Sequence, residues 1–167
     1  MNNIYRIAIV IPLLILGCTS PKLIEENKIT KKINTLDLNI FSKNGDKKYS
    51  IKSPYSTYNN LIDKYKLKET TINIFQDSKI KYIINSDEAY LTDNNKVLEL
   101  RGNVKLRTIN KDEDYLSSDN FIWNIDESNY LLTGNIRFEN NNVILTSAKA
   151  KMGKDNIIEF FNPVKYI

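Results

Sequence analysis

The chain repeats itself. Ser86 precedes the run Val97-Leu98-Glu99-Leu100-Arg101-Gly102-Asn103-Val104-Lys105-Leu106, and Ser118 precedes Tyr130-Leu131-Leu132-Thr133-Gly134-Asn135-Ile136-Arg137-Phe138. The two serines are 32 residues apart, and so are Gly102 and Gly134. A third, slightly shorter copy runs from Ser147 to Ile158-Glu159-Phe160-Phe161-Asn162-Pro163-Val164-Lys165-Tyr166. A period of this size marks stacked units that are each too small to bury an apolar face alone, so neighbours share one core.

Each unit reads as two strands. In the second, Leu98, Leu100, Gly102, Val104 and Leu106 share one parity and Glu99, Arg101, Lys105 and Arg107 the other; Leu132, Gly134, Ile136 and Phe138 repeat the scheme. Period-two alternation predicts a sheet with one buried and one wet face. Ile158, Phe160, Val164 and Tyr166 are expected to continue the buried parity in the last strand. The first strand of each unit follows apolar-x-Ser-x-x-apolar-x-apolar: Ile84, Ser86, Ala89, Leu91; Leu116, Ser118, Phe121, Trp123; Leu145, Ser147, Ala150, Met152. The apolar parity switches after each serine, as a β-bulge requires. A weaker copy is Ile51, Ser53, Ser56, Tyr58, leading to Ile72 and Ile74. Polar segments such as Asp126-Glu127-Ser128-Asn129 and Asn140-Asn141-Asn142 supply the turns. The pattern predicts an all-β stack of antiparallel hairpins.

At the N-terminus an apolar run, Ile7 to Leu16, leads into Gly17-Cys18. Ten residues are too few to span about 30 Å of hydrocarbon as a helix, but they fit the apolar core of a signal peptide. Ile15-Leu16-Gly17-Cys18 resembles the lipobox of bacterial lipoproteins, whose cysteine is lipidated and becomes the first residue. The alternative is an uncleaved anchor with an incidental cysteine. Cys18 is the single cysteine, so no disulfide forms within the chain. The expected organisation is a signal peptide over 1–17, a membrane tether over 18–35, polar and without a clear period, and one β domain over 36–167.

The formal charge is +4 and the lysines are scattered rather than gathered in a patch. Asn, Ile and Lys make up roughly two-fifths of the chain, a compositional bias that accounts for much of the basicity. There is no histidine, which removes the usual general base and the commonest metal ligand. No nucleophile elbow, phosphate loop or dinucleotide fingerprint occurs. The clusters Asp87-Glu88, Asp112-Glu113-Asp114 and Asp126-Glu127 sit in or beside turns, where acidic residues are favoured anyway. A Lys64-Tyr65-Lys66-Leu67-Lys68 stretch hints at nucleic acid, to which an exported, anchored protein has little access. The sequence reads as a protein that is not an enzyme, with no cofactor, no metal and no nucleic-acid partner.

The phrase Lys96-Val97-Leu98-Glu99-Leu100-Arg101-Gly102-Asn103-Val104, preceded by Ile84-Asn85-Ser86-Asp87-Glu88-Ala89, resembles the recurrent strands of the lipopolysaccharide-transport periplasmic proteins, the LptC and LptA group with OstA-like repeats. The resemblance covers roughly residues 36–167, and the anchored N-terminus favours LptC over the freely periplasmic LptA. Many LptC proteins hold a transmembrane helix where this chain shows a lipobox. The resemblance implies an open β-jelly-roll whose interior groove takes lipid A acyl chains. It places the protein in the periplasm, anchored to the inner membrane by lipid. Lipopolysaccharide would arrive from an inner-membrane ABC transporter and pass to an LptA-like bridge protein. Groove-lining residues would be Ile84, Leu91, Leu100, Val104, Leu106, Leu116, Phe121, Trp123, Leu132, Ile136 and Phe138. Any sandwich core would use the same residues. The strand carrying Ile158, Phe160, Val164 and Tyr166 would be the partner edge, since end strands leave unpaired backbone groups. A different reading is a structural or adhesive envelope lipoprotein that pairs by its β-edges and carries no lipid. A third is a polysaccharide-binding or assembly module.

Overall fold

A computed structural model describes residues 30–92, 94, 96–109, 114–153 and 157–166. It contains twelve strands in a single antiparallel sheet. They are β1 (Thr30–Ile33), β2 (Leu36–Phe41), β3 (Lys47–Ser53), β4 (Tyr55–Asn59), β5 (Lys64–Gln76), β6 (Lys79–Thr92), β7 (Val97–Thr108), β8 (Tyr115–Asn124), β9 (Asn129–Glu139), β10 (Ile144–Met152), β11 (Ile158–Phe161) and β12 (Val164–Tyr166).

Register reduces the twelve strands to nine legs of an up-and-down meander. Thr30 lies opposite Asn59 and Leu36 opposite Ser53, so β1–β2 form one leg paired along β3–β4. Tyr55 lies opposite Lys68 and Ile51 opposite Ile72, so β3–β4 form a second leg beside β5. At the other end, Met152 pairs with Ile158 and Thr146 with Val164, making β11–β12 one leg beside β10. The first leg begins at Thr30, inside the segment read as tether. An outermost strand needs only backbone pairing on one side, so it can be built from polar residues that show no apolar period.

Every leg is interrupted near its middle, and the interruptions line up across the sheet. In the central legs the register shifts between Asn85 and Glu88, Arg101 and Val104, Ser117 and Asn120, and Ser147 and Lys149. These are the bulges expected from the parity switch. The repeated serine has a local task there, because its hydroxyl donates to the carbonyl two residues on, which the bulge leaves exposed. Ser53 reaches Tyr55 O at 2.8 Å, Ser86 Glu88 O at 3.0 Å, Ser118 Asn120 O at 3.0 Å and Ser147 Lys149 O at 2.8 Å. In the returning legs the same line is occupied by left-handed residues: Gly102 (φ 73°) with Asn103 (φ 45°), and Gly134 (φ 75°) with Asn135 (φ 44°). Asn103 Nδ2 donates to Asp87 Oδ2 and Asn135 Nδ2 to Asp119 Oδ2, both at 2.8 Å.

Along this line the sheet creases and its two halves cover each other. The near half holds the strand ends around Asn59, Leu98 and Met152, and the far half those around Tyr49, Tyr82 and Leu116. Ring contacts cross the interior between them, Tyr49 to Trp123 at 4.8 Å and Phe138 to Phe160 at 6.1 Å. The first and last legs do not pair with one another among the described residues, so the roll stays open. The predicted all-β, open jelly-roll of stacked antiparallel hairpins is the observed fold.

Candidate functional site: an apolar interior with two open edges

Alternation sets the interior. In the near half, register aligns Leu67, Ala89, Leu100, Phe121, Leu132, Ala150 and Phe160 in one inward row. In the far half it aligns Ile51, Ile72, Ile84, Leu106, Leu116, Phe138 and Leu145. Lys52, Lys105 and Arg137 share the neighbouring outward row, as alternation demands. Ten of the eleven residues expected to line the interior are buried: Ile84, Leu91, Leu100, Val104, Leu106, Leu116, Phe121, Trp123, Leu132 and Ile136. Phe138 is half-buried and packs against this core. Each such side chain contributes roughly 1.5–3 kcal/mol by leaving water.

The interior is not evenly filled. Toward the first legs it is closed by Tyr49, Trp123 and Tyr130, whose rings contact one another in series. Toward the last legs a crevice of ≈ 150 Å³ opens between the halves, lined by Ile74, Tyr82, Leu106, Leu116, Tyr130, Phe138, Met152 and Ile158, with Thr108 and Asp114 at its rim. Only Leu106, Leu116 and Phe138 of the expected lining residues reach it. Ile74, Tyr82, Tyr130, Met152 and Ile158 complete its apolar wall; their parity matched that of the core in every case, and the tyrosines were the residues whose amphipathic side chains concealed an inward position.

The same rings shape the local electrostatics. Burial, then the Asp126 carboxylate and Tyr130, push the Tyr49 phenol up to about 12, and burial followed by Tyr82 raises Tyr130. Among the described residues two buried polar side-chain atoms lack a hydrogen-bond partner, Thr70 Oγ1 and Trp123 Nε1. A phenol that ionises at pH 10 in the unfolded chain and only near 12 in the fold contributes stability that is complete below pH 10. That stability is lost as pH rises through 12. Urea titrations should therefore show stability falling by up to about 1.4 kcal/mol per pH unit over that window, and Tyr49→Phe should flatten the fall. An equally steep fall in Tyr49→Phe would exclude Tyr49 as its source.

Outward residues form solvated networks instead. Lys66 Nζ lies 2.9 Å from Glu88, Tyr90 donates to Glu88 at 2.9 Å, and Arg101 stacks 5.0 Å from the Tyr90 ring. Lys66, then Tyr90, hold the Glu88 carboxyl below its ordinary range. No cluster of three metal-ligating side chains occurs among the described residues.

The two ends of the stack differ. On the first leg Leu36, Leu38 and Ile40 pack on the core while the outer backbone of β2 faces away from the sheet. On the last leg Ile158 and Phe160 pack inward, but Val164 and Tyr166 are 53% and 55% exposed. The buried parity expected for Val164 and Tyr166 is corrected by the register. Val164 pairs with Thr146, itself opposite Arg137, so it belongs to an outward row, and Lys165, opposite Leu145, takes the inward one. The cause is one missing residue. Gly102-Asn103 and Gly134-Asn135 each set two residues against one aspartate, which restores parity, whereas Asn162-Pro163 faces Ser147-Ala148 two against two. A three-residue strand, a proline lacking N–H and an inward lysine together blunt this edge against random pairing.

Cys18, the lipobox and residues 1–29 lie outside the described residues. The sequence profile of a family described as "Lipopolysaccharide-assembly, LptC-related" matches residues 18–131. No curated protein matches the chain. Among solved structures, the crystal structure of LptH, the LptA-homologous periplasmic component of the lipopolysaccharide transport device of Pseudomonas aeruginosa, aligns with a TM-score of 0.57 at 8% identity. The alignment covers 71% of this chain and 94% of that one. At such identity the likeness is one of fold.

Proposed function

Because this chain belongs to the LptC-related family of lipopolysaccharide-assembly proteins, we propose that it is a periplasmic lipopolysaccharide-transport protein held at the inner membrane by a lipid on Cys18. It takes the acyl chains of lipopolysaccharide from an inner-membrane ABC transporter into the creased interior and passes them to an LptA-like bridge protein. The observation that carries this reading is the continuous apolar inner face, open to a crevice at one end and flanked by unpaired strands at both. Each methylene that moves from water into such an interior gains about 0.8 kcal/mol.

A crevice of ≈ 150 Å³ is the size that admits benzene rather than a whole acyl chain, so loading requires the halves to part near Phe138, Met152 and Ile158. The tight filling elsewhere favours the second reading, an edge-pairing structural lipoprotein. Lipid capture decides between them. A photo-crosslinking residue at Leu106 or Phe138, or deeper at Trp123, is expected to capture lipopolysaccharide in an energy-dependent manner, whereas Lys105 or Arg137 captures little. Equal labelling at both parities would reject the groove.

The anchor has its own test. Cys18→Ser lacks the thiol that would be lipidated and is expected to accumulate as unprocessed precursor; in the wild type one diacylglyceryl group supplies the two chains that stable attachment needs. Normal cleavage and normal membrane fractionation of Cys18→Ser would exclude lipidation there.

A further inference from the structure

The turn between β4 and β5 departs from the polar composition of the others. It presents Leu61 and Ile62 side by side, 71% and 63% exposed. No other described turn places two consecutive exposed aliphatic residues at its tip. The tip is firmly built: Asn59 Oδ1 accepts the Leu61 N–H at 3.0 Å, and Tyr58 OH donates to Asp63 Oδ1 at 3.0 Å across the turn. Just behind it, the Tyr58 and Tyr65 rings lie 4.6 Å apart, both half-buried, with Tyr65 packed against the core. Lysines flank this pair, because register sets Lys31 opposite Tyr58 and Lys64 opposite Asn59. An aliphatic apex backed by a mixed layer of tyrosine and lysine, with Lys64 one position nearer the tip than the tyrosine pair and Lys31 level with it, matches the passage of a bilayer surface from acyl boundary to anionic headgroup.

The chain brings a membrane to this place. Thr30 pairs with Asn59, at the base of the same turn. Eleven residues, 19–29, lie between Cys18 and Thr30, and even fully extended the twelve steps reach only about 40 Å. We propose that the β4–β5 turn is a membrane-contact element. In it Leu61 and Ile62 enter the acyl boundary of the anchoring bilayer, while Tyr58, Tyr65, Lys31 and Lys64 sit at the headgroups. This rests on the anchored reading given above and adds an orientation to it: the β4–β5 turn faces the membrane.

The test uses the full chain, lipid-anchored, in vesicles of phosphatidylethanolamine and phosphatidylglycerol without lipopolysaccharide or any other protein. A p-benzoylphenylalanine at Leu61 is expected to crosslink phospholipid at least fivefold more than one at Ser78, an exposed residue in a far-half turn. The Leu61 yield should drop several-fold in Lys31→Glu/Lys64→Glu. Equal yields at Leu61 and Ser78, or no lipid adduct at Leu61 while the protein still floats with the vesicles, would overturn the contact and leave lipid carriage untouched. Loss of flotation would overturn it together with the anchor. In native membranes, a dominant Leu61 adduct to protein instead of phospholipid would overturn it in favour of a protein-docking tip.

Discussion

Gly134→Ala is expected to lower the unfolding free energy by about 3 kcal/mol, a fall of roughly 6–12 °C in Tm for a domain of this size. Two effects add. Gly134 sits at φ 75°, where a residue with a Cβ costs roughly 1–2 kcal/mol. A Cβ there would also stand 2.5 Å from Asp119 Oδ2 and 2.9 Å from its Cβ, so the carboxylate that holds Asn135 must swing away. The effects separate in a double-mutant cycle measured by chemical denaturation. In an Asp119→Ala background the carboxylate clash is gone and the backbone cost remains, together with the 2.9 Å contact to the Cβ of residue 119, so the penalty should be smaller. Equal penalties in both backgrounds would mean that the Asp119 carboxylate does not press on residue 134. Gly102, with Asp87 Oδ2 2.7 Å from its virtual Cβ, should behave alike.

The second large effect concerns function. Deleting 162–167 should leave stability within about 1 kcal/mol, because every described residue from Asn162 to Tyr166 is exposed and adds little to the core. Under the proposed function the same deletion should abolish transfer of lipid to an LptA-like partner, since it removes β12 and with it the outer ladder beside Ile144–Thr146. Pull-down and vesicle-to-vesicle transfer read the two halves of this expectation. Wild-type affinity in the truncated protein would move the joint to the opposite edge, along Leu36–Phe41.

The central legs were legible because each of their positions carries two signals at once. Leu100 and Val104 are apolar in phase and Glu99 and Arg101 polar out of phase, and Ser86, Ser118 and Ser147 mark where the phase slips. The ends were less legible for opposite reasons. Thr30–Ile33 is held by backbone bonds to β4 and needs no apolar rhythm, so a polar string conceals it. Val164 and Tyr166 kept an apolar rhythm that the missing bulge residue turns outward. The crevice was legible only in part. Parity says which side chains face in, but which inward positions are left unfilled depends on how two halves of a creased sheet meet, and Tyr82 and Tyr130 come from legs far apart in sequence.

The crease repeats with the sequence period, and this makes length an adjustable property of the molecule. A 32-residue unit such as 86–117 contains one switching leg and one compensating Gly-Asn leg. Inserting or removing such a unit leaves every other side chain on the face it already occupies. Neighbouring strands lie about 4.8 Å apart, so each unit changes the length of the roll by about 9.6 Å. A one-residue slip within a strand, without a matching bulge, would turn its side chains to the other face, whereas the turns absorb changes in length, as the 29-residue spacing from Ser118 to Ser147 shows. The sheet can therefore be lengthened by whole hairpins without disturbing its faces, because each such pair of legs carries both its own switch and its own compensation.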